Sequence, residues 1–105
     1  MNDLGLSNEV INTITQVISK DPKINKAKVY GSRSLGNHRK YSDIDIAIYA
    51  SVDYEDTYKI SYALYELPII YKCDVVLYES IKNEELKDHI DRVAVEIFNR
   101  NKEDV

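Results

Sequence analysis

Several things are scarce in this 105-residue chain, and each scarcity excludes something. There is one cysteine, Cys73, so no internal disulfide can form; a lone thiol of this kind fits a reducing cytoplasm. No apolar run approaches the roughly 20 residues that a membrane span requires. The opening residues, MNDLGLSNEV, lack the basic start and apolar core of a secretory signal, so the expected location is cytoplasmic. Positive charge is also short: 14 Lys and Arg against 18 Asp and Glu leave a net charge of −4. The imbalance is uneven. Residues 20–40 carry a local charge of +6, and the rest of the chain carries −10. An acidic body with one basic patch makes a poor tracker of extended nucleic acid, whose affinity rests on many phosphate contacts. It suits one compact phosphate ligand better, although lysines before residue 30 read equally well as solvated.

What is present is a globular composition, 44% apolar and 30% charged. At this length it forms one domain, residues 1–105. With only two prolines and three glycines, each break in the pattern stands out. Ser7 caps a first helix that aligns Val10, Ile11, Ile14, Val17 and Ile18, and Asp21-Pro22 ends it. Residues 24–30 read as a strand running into Gly31. A short helical turn over Ser32–Leu35 stops at Gly36, and a strand follows at 43–49. A helix from about Tyr54 to Leu67 buries Ile60, Ala63, Leu64 and Leu67. It sets Tyr54, Tyr58, Tyr62 and Tyr65 on the other side as a tyrosine face suited to an interface. Residues 69–78 are a third strand and 81–99 a last helix, although Val93, Val95 and Ile97 also alternate as a strand would. The expected class is α/β (α+β), a small mixed sheet with helices mainly on one face, in the order αβαβαβα.

The unusual stretch is GSRSLGNHRKYSDIDIAI, residues 31–48. Asp43 and Asp45 fall two apart on a strand and so share a face, roughly 6.5–7 Å apart along it. Like charges this close repel unless water solvates them or a cation sits between them. By itself the pair reads as the solvent side of an edge strand. With a third acid, Asp74 in KCDVVLY, the reading changes. Three carboxylates are hard oxygen ligands for Mg²⁺, with Mn²⁺ as the alternative, and no His/Cys cluster competes. Two such ions form the clamp used for in-line displacement at phosphorus. Gly31 lets backbone approach an anion, Ser32 opens a helical turn and offers a hydroxyl, and Arg33 offers a charge-assisted bond. Such a site would grip a triphosphate at both ends and leave its α-phosphorus open to attack. His38 reads as a loop residue, His89 as structural beside the last helix's core stripe, and Cys73 as a buried thiol facing away from Asp74.

These residues resemble the signature of the DNA polymerase β-type nucleotidyltransferase superfamily: a Gly-Ser turn, ten residues, then Asp-x-Asp. Gly31-Ser32 and Asp43-Ile44-Asp45 match that spacing, and chance would supply it about once in a thousand chains of this length. GSRSLG, SDIDIAI and LPIIYKCDVVLYESI are similar to the minimal nucleotidyltransferase (MNT) domains, over about residues 24–98. The resemblance implies the polymerase β palm-like fold. It also implies that Asp43, Asp45 and Asp74 are metal ligands and catalytic, and that Gly31, Ser32 and Arg33 bind the nucleotide. It implies two Mg²⁺ ions, ATP as substrate, and a small all-helical partner of the HEPN or substrate-binding kind. The resemblance further implies the biology of some of these pairs, in which the partner is a toxic HEPN ribonuclease and the MNT protein acts as antitoxin by adding AMP to a tyrosine on it. Leu35 stands where many members carry a second basic residue, a phosphate contact that Arg39 or Lys40 would have to replace. Two other readings remain: a catalytic subunit acting on a small molecule such as an antibiotic, and a non-catalytic module that neutralises its partner by contact through the tyrosines. The acceptor, the base preference and self-association are open at this point.

Overall fold

The structure, a computed structural model, describes residues 4–51 and 53–103. Ser7 accepts a hydrogen bond from the Val10 amide and starts helix α1 (Asn8–Ser19), which buries Ile14 and Ile18. Strand β1 (Lys26–Tyr30) follows, then the four-residue helix α2 (Ser32–Leu35), which Gly36 ends in the left-handed conformation. Strand β2 (Ile44–Tyr49), helix α3 (Thr57–Tyr65) and strand β3 (Cys73–Leu77) form a crossover unit, and β2 and β3 are parallel.

The last segment departs from the single helix expected over 81–99. After a 3₁₀ turn at Tyr78–Ser80, helix α4 runs only Glu84–Val93, and Val95–Asn99 is a strand, β4, followed by the short helix α5 (Arg100–Glu103). β4 pairs antiparallel with β1, which would otherwise be an unpaired sheet edge. Strand pairing therefore decides between the two periodicities present in VAVEIFN. Arg100 secures the end of the strand by donating to the carbonyls of Ile24, Ser19 and Asp21.

The sheet order is β3-β2-β1-β4, with β1 antiparallel to both of its neighbours. Ile44, Ile46 and Ile48 of β2 and Ala27 and Val29 of β1 join Ile14, Ile18, Ile60, Leu64 and Phe98 in the core. α1 and α3 pack against that face of the sheet. α4 lies on the other face, since His89 meets the ring of Tyr30, the cross-strand partner of Asp45. Fully buried Ile90 anchors it there, over a face that also buries Ala47. Among the described residues no helix is long and apolar enough to cross a membrane.

The tyrosine face is smaller than the pattern predicted. Tyr54 precedes α3, is buried, and donates its hydroxyl to Asp21 at 2.6 Å. Burial, and then that bond, push its phenol upward, so it stays protonated. Tyr58, Tyr62 and Tyr65 remain exposed. Tyr54→Phe should cost about 1–2 kcal/mol by losing a bond to a charged acceptor, and Tyr58→Phe about zero; urea denaturation of the two variants checks this.

Candidate active site

The site begins with a register. Asp45 and Asp74 are direct partners in the parallel β2/β3 ladder, so two carboxylates stand side by side on adjacent strands, about 4.8 Å apart at the backbone. Asp43, exposed, lies two residues before Asp45 and ends the polar loop leading into β2. Burial first, then the charges of Asp74 and Asp43, raise the Asp45 carboxyl above the ordinary carboxylate range. The charges of Asp74 and Asp43 are thus both felt at Asp45, and the ladder sets Asp74 level with it.

The Gly-Ser turn borders the same place. Gly31 has φ 79° and ψ −150°, a conformation that only glycine adopts freely. A Cβ there would lie 2.5 Å from Asp45 Oδ2, so the backbone of the turn is pressed against the carboxylate. The Gly31 carbonyl accepts from the Ser34 hydroxyl and the Leu35 amide. Among the described residues nothing takes the Ser32 hydroxyl, which leaves it free for a ligand.

Arg33 is not where the phosphate expectation put it. It is 1% exposed, and its guanidinium donates to the carbonyls of Leu4, Ser42 and Lys40, with the Tyr71 ring across its face. Its donors are spent on pinning the loop ahead of Asp43. The reason is local: in a four-residue helix with Gly31 and Gly36 at its ends, one side chain must face the interior, and Arg33 does so by donating to backbone carbonyls there. Leu35 is exposed, as are Arg39 and Lys40.

His89 is the residue whose role the sequence did not reveal. Its Nε2 accepts the Gly31 N–H at 3.1 Å across 58 residues of chain, a contact that no local pattern announces. His38 sits against Gly5, where any Cβ would meet its ring. Cys73 is half-buried against the core, and burial together with Asp74 and Asp43 pushes its thiol up to about 11, so it is inert at neutral pH.

The donor set fits a hard divalent cation: it is all oxygen, carries up to three negative charges, and includes one group, Asp45, that a nearby cation would relieve of repulsion. As they stand, no three His, Cys, Asp or Glu side chains among the described residues are gathered closely enough to hold an ion. Lys72 Nζ lies 3.8 Å from Asp74, but both groups are solvated, so this contact is weak and easily displaced.

Comparison with known proteins identifies the family and the fold. The family described as "Polymerase beta, Nucleotidyltransferase" matches residues 12–103. Among solved structures, a toxin–antitoxin complex with AMP-PNP is similar at TM-score 0.72 and 22% identity, covering 90% of this chain and 77% of that one. The MntA-HepT toxin–antitoxin is similar at 0.68 and 18%, covering 93% and 77%. A tri-AMPylated HEPN toxin in complex with MNT antitoxin, from Shewanella oneidensis, is similar at 0.68 and 19%, covering 94% and 77%. No curated protein matches the chain. At these identities the solved structures establish the fold, and the family match over most of the length establishes the lineage: this chain belongs to the polymerase β-type nucleotidyltransferase family.

Proposed function

We propose that this chain is a metal-dependent nucleotidyltransferase that moves an NMP, AMP from ATP, onto a hydroxyl of a small helical HEPN-type partner, and serves as the antitoxin of that pair. The observation that carries the chemistry is the Asp45–Asp74 register beside the Gly31 turn. Likeness to a tri-AMPylated HEPN toxin bound to its MNT antitoxin supports the acceptor class, and likeness to a complex with AMP-PNP supports the nucleotide.

Asp43, Asp45 and Asp74 would hold the divalent ions, Mg²⁺ or Mn²⁺, which supply charge neutralisation for the triphosphate and its leaving group. Gly31 lets the turn's backbone lie close to the phosphates, and Ser32 donates its hydroxyl to them. Asp74 orients the attacking hydroxyl by accepting its hydrogen bond. The new bond forms between that oxygen and the α-phosphorus, the bond to pyrophosphate breaks, and the hydroxyl proton passes by way of Asp74 to solvent. Positioning and charge stabilisation carry such a transfer, and no covalent protein intermediate is required. Arg33 contributes only by holding the loop that delivers Asp43.

Exposed Tyr58, Tyr62 and Tyr65 supply the surface for the partner. They also favour a second reading, neutralisation by contact alone. The test is incubation of the chain with α-labelled ATP, Mg²⁺ and a HEPN-type helical protein, sought first in the adjacent reading frame, followed by intact mass. A gain of AMP on the partner is the expected result. Label appearing instead on an added small-molecule acceptor, such as an aminoglycoside, would replace the protein-modifying reading. Loss of neutralisation in Tyr58→Ser with Tyr62→Ser, with transfer intact, would favour contact alone.

A further inference from the structure

We propose that His89 is a positioning residue for nucleotidyl transfer: from α4 it holds the Gly31–Ser32 turn at a fixed distance from Asp45 by accepting the Gly31 N–H at Nε2. The proposal rests on the nucleotidyltransferase reading for its consequence, and on the observed hydrogen bond for its premise.

The Gly31 peptide is held on both sides. Its N–H goes to His89 at 3.1 Å, and its carbonyl accepts from Ser34 Oγ at 2.9 Å and from the Leu35 amide at 3.2 Å. Without His89 the first of these would be lost, and glycine, with no side chain to restrict it, would be free to rotate out of φ 79°. An oxygen of the Asp45 carboxylate stands only 2.5 Å from where a Cβ of Gly31 would be, so such a rotation would change the spacing between the turn and the acids. Binding and transfer depend on that spacing, since misplacement of about 1 Å is enough to cost rate.

His89 is itself held firmly. Ile90 beside it is fully buried, Tyr30 meets its ring edge-on at 6.2 Å, and the Tyr78 hydroxyl, from the 3₁₀ turn after β3, donates to Asp91 of the same helix. Asn83 caps the start of α4, and Asp88 and Arg92 pair on its outer side. Accepting from a backbone N–H requires a lone pair on Nε2, so the ring carries its proton on Nδ1. A histidine that only filled space would have no need of this tautomer.

Two measurements test the assignment. In ¹⁵N-labelled protein without nucleotide, a coupling through the hydrogen bond between the Gly31 nitrogen and His89 Nε2, with a neutral Nδ1–H ring, is expected; its absence overturns the proposal. Binding of a non-hydrolysable ATP analogue with Mg²⁺ is then compared among variants. His89→Leu, which keeps the bulk but no acceptor, should bind about tenfold more weakly, with a raised KM for ATP and a melting transition lowered only by the loss of one part-buried bond, so that the chain stays folded at the assay temperature. His89→Gln, whose Oε1 can take the place of Nε2, should restore binding to within about twofold of the native chain. Native-like binding by His89→Leu, or failure of His89→Gln to restore it, overturns the positioning role. A native chain that shows the coupling but binds no nucleotide counts against nucleotidyl transfer, so the two failures are distinguishable.

Discussion

Asp43→Asn combined with Asp45→Asn is expected to reduce nucleotidyl transfer by at least about a thousandfold, or roughly 4 kcal/mol of transition-state stabilisation, while the fold persists. The two positions carry the charge of β2's contribution to the site, and asparagine keeps the shape without the charge. Stability should move in the opposite direction. The Asp45 carboxyl is raised above its ordinary range by burial and by its acidic neighbours, so the folded state prefers it protonated. A group shifted this way supports the fold below the usual carboxylate range and loses that support as pH climbs through the raised value. At neutral pH the native chain therefore carries a repulsion that the double variant lacks, and the variant should melt higher. Added Mg²⁺ should raise the native melting temperature and leave the variant's unchanged. Label transfer from α-labelled ATP and thermal melts at acid and neutral pH are the measurements. Full labelling by the double variant would end the catalytic reading.

Arg33→Met should destabilise the chain by roughly 3–5 kcal/mol, because carbonyls of Leu4, Lys40 and Ser42 lose a charged donor that is itself 1% exposed, and the bond to Leu4 is buried. For a domain of about this size that is a melting-temperature fall on the order of 10–20 °C or more. It would also be a large share of a total stability of about 5–15 kcal/mol. Arg33→Lys should recover only part, since an ammonium cannot match a planar fork that serves several carbonyls. The contrast with the phosphate expectation is clean. An arginine that touched only the nucleotide would, on substitution, raise KM for ATP and leave the urea midpoint where it was.

Arg33 also shows how motif and fold divide the information. The tripeptide Gly31-Ser32-Arg33 states that a tight turn and a helical start lie here, and the structure has both. Which way the arginine points depends on the segment around Leu4 and the loop at Lys40–Ser42, which reach it from 29 and 7–9 residues away. Tyr54 is a similar case. Helical spacing groups it with Tyr58 and Tyr62, but the helix begins only at Thr57, and Asp21 across the chain captures the hydroxyl.

The sequence by itself determined the elements whose period is unambiguous: α1 from its cap and apolar stripe, β2 from alternating isoleucines, and the Gly-Ser turn ten residues before two acids. Those are local facts, written in residue spacing. Tertiary structure alone decided what depends on partners distant in the chain. Pairing with the free edge of β1 made Val95–Asn99 a strand. The parallel register set Asp74 level with Asp45. The packing of α4 brought His89 to the amide of Gly31. In each case the local preference was nearly balanced or silent, and hydrogen bonds and burial supplied from elsewhere in the chain tipped it.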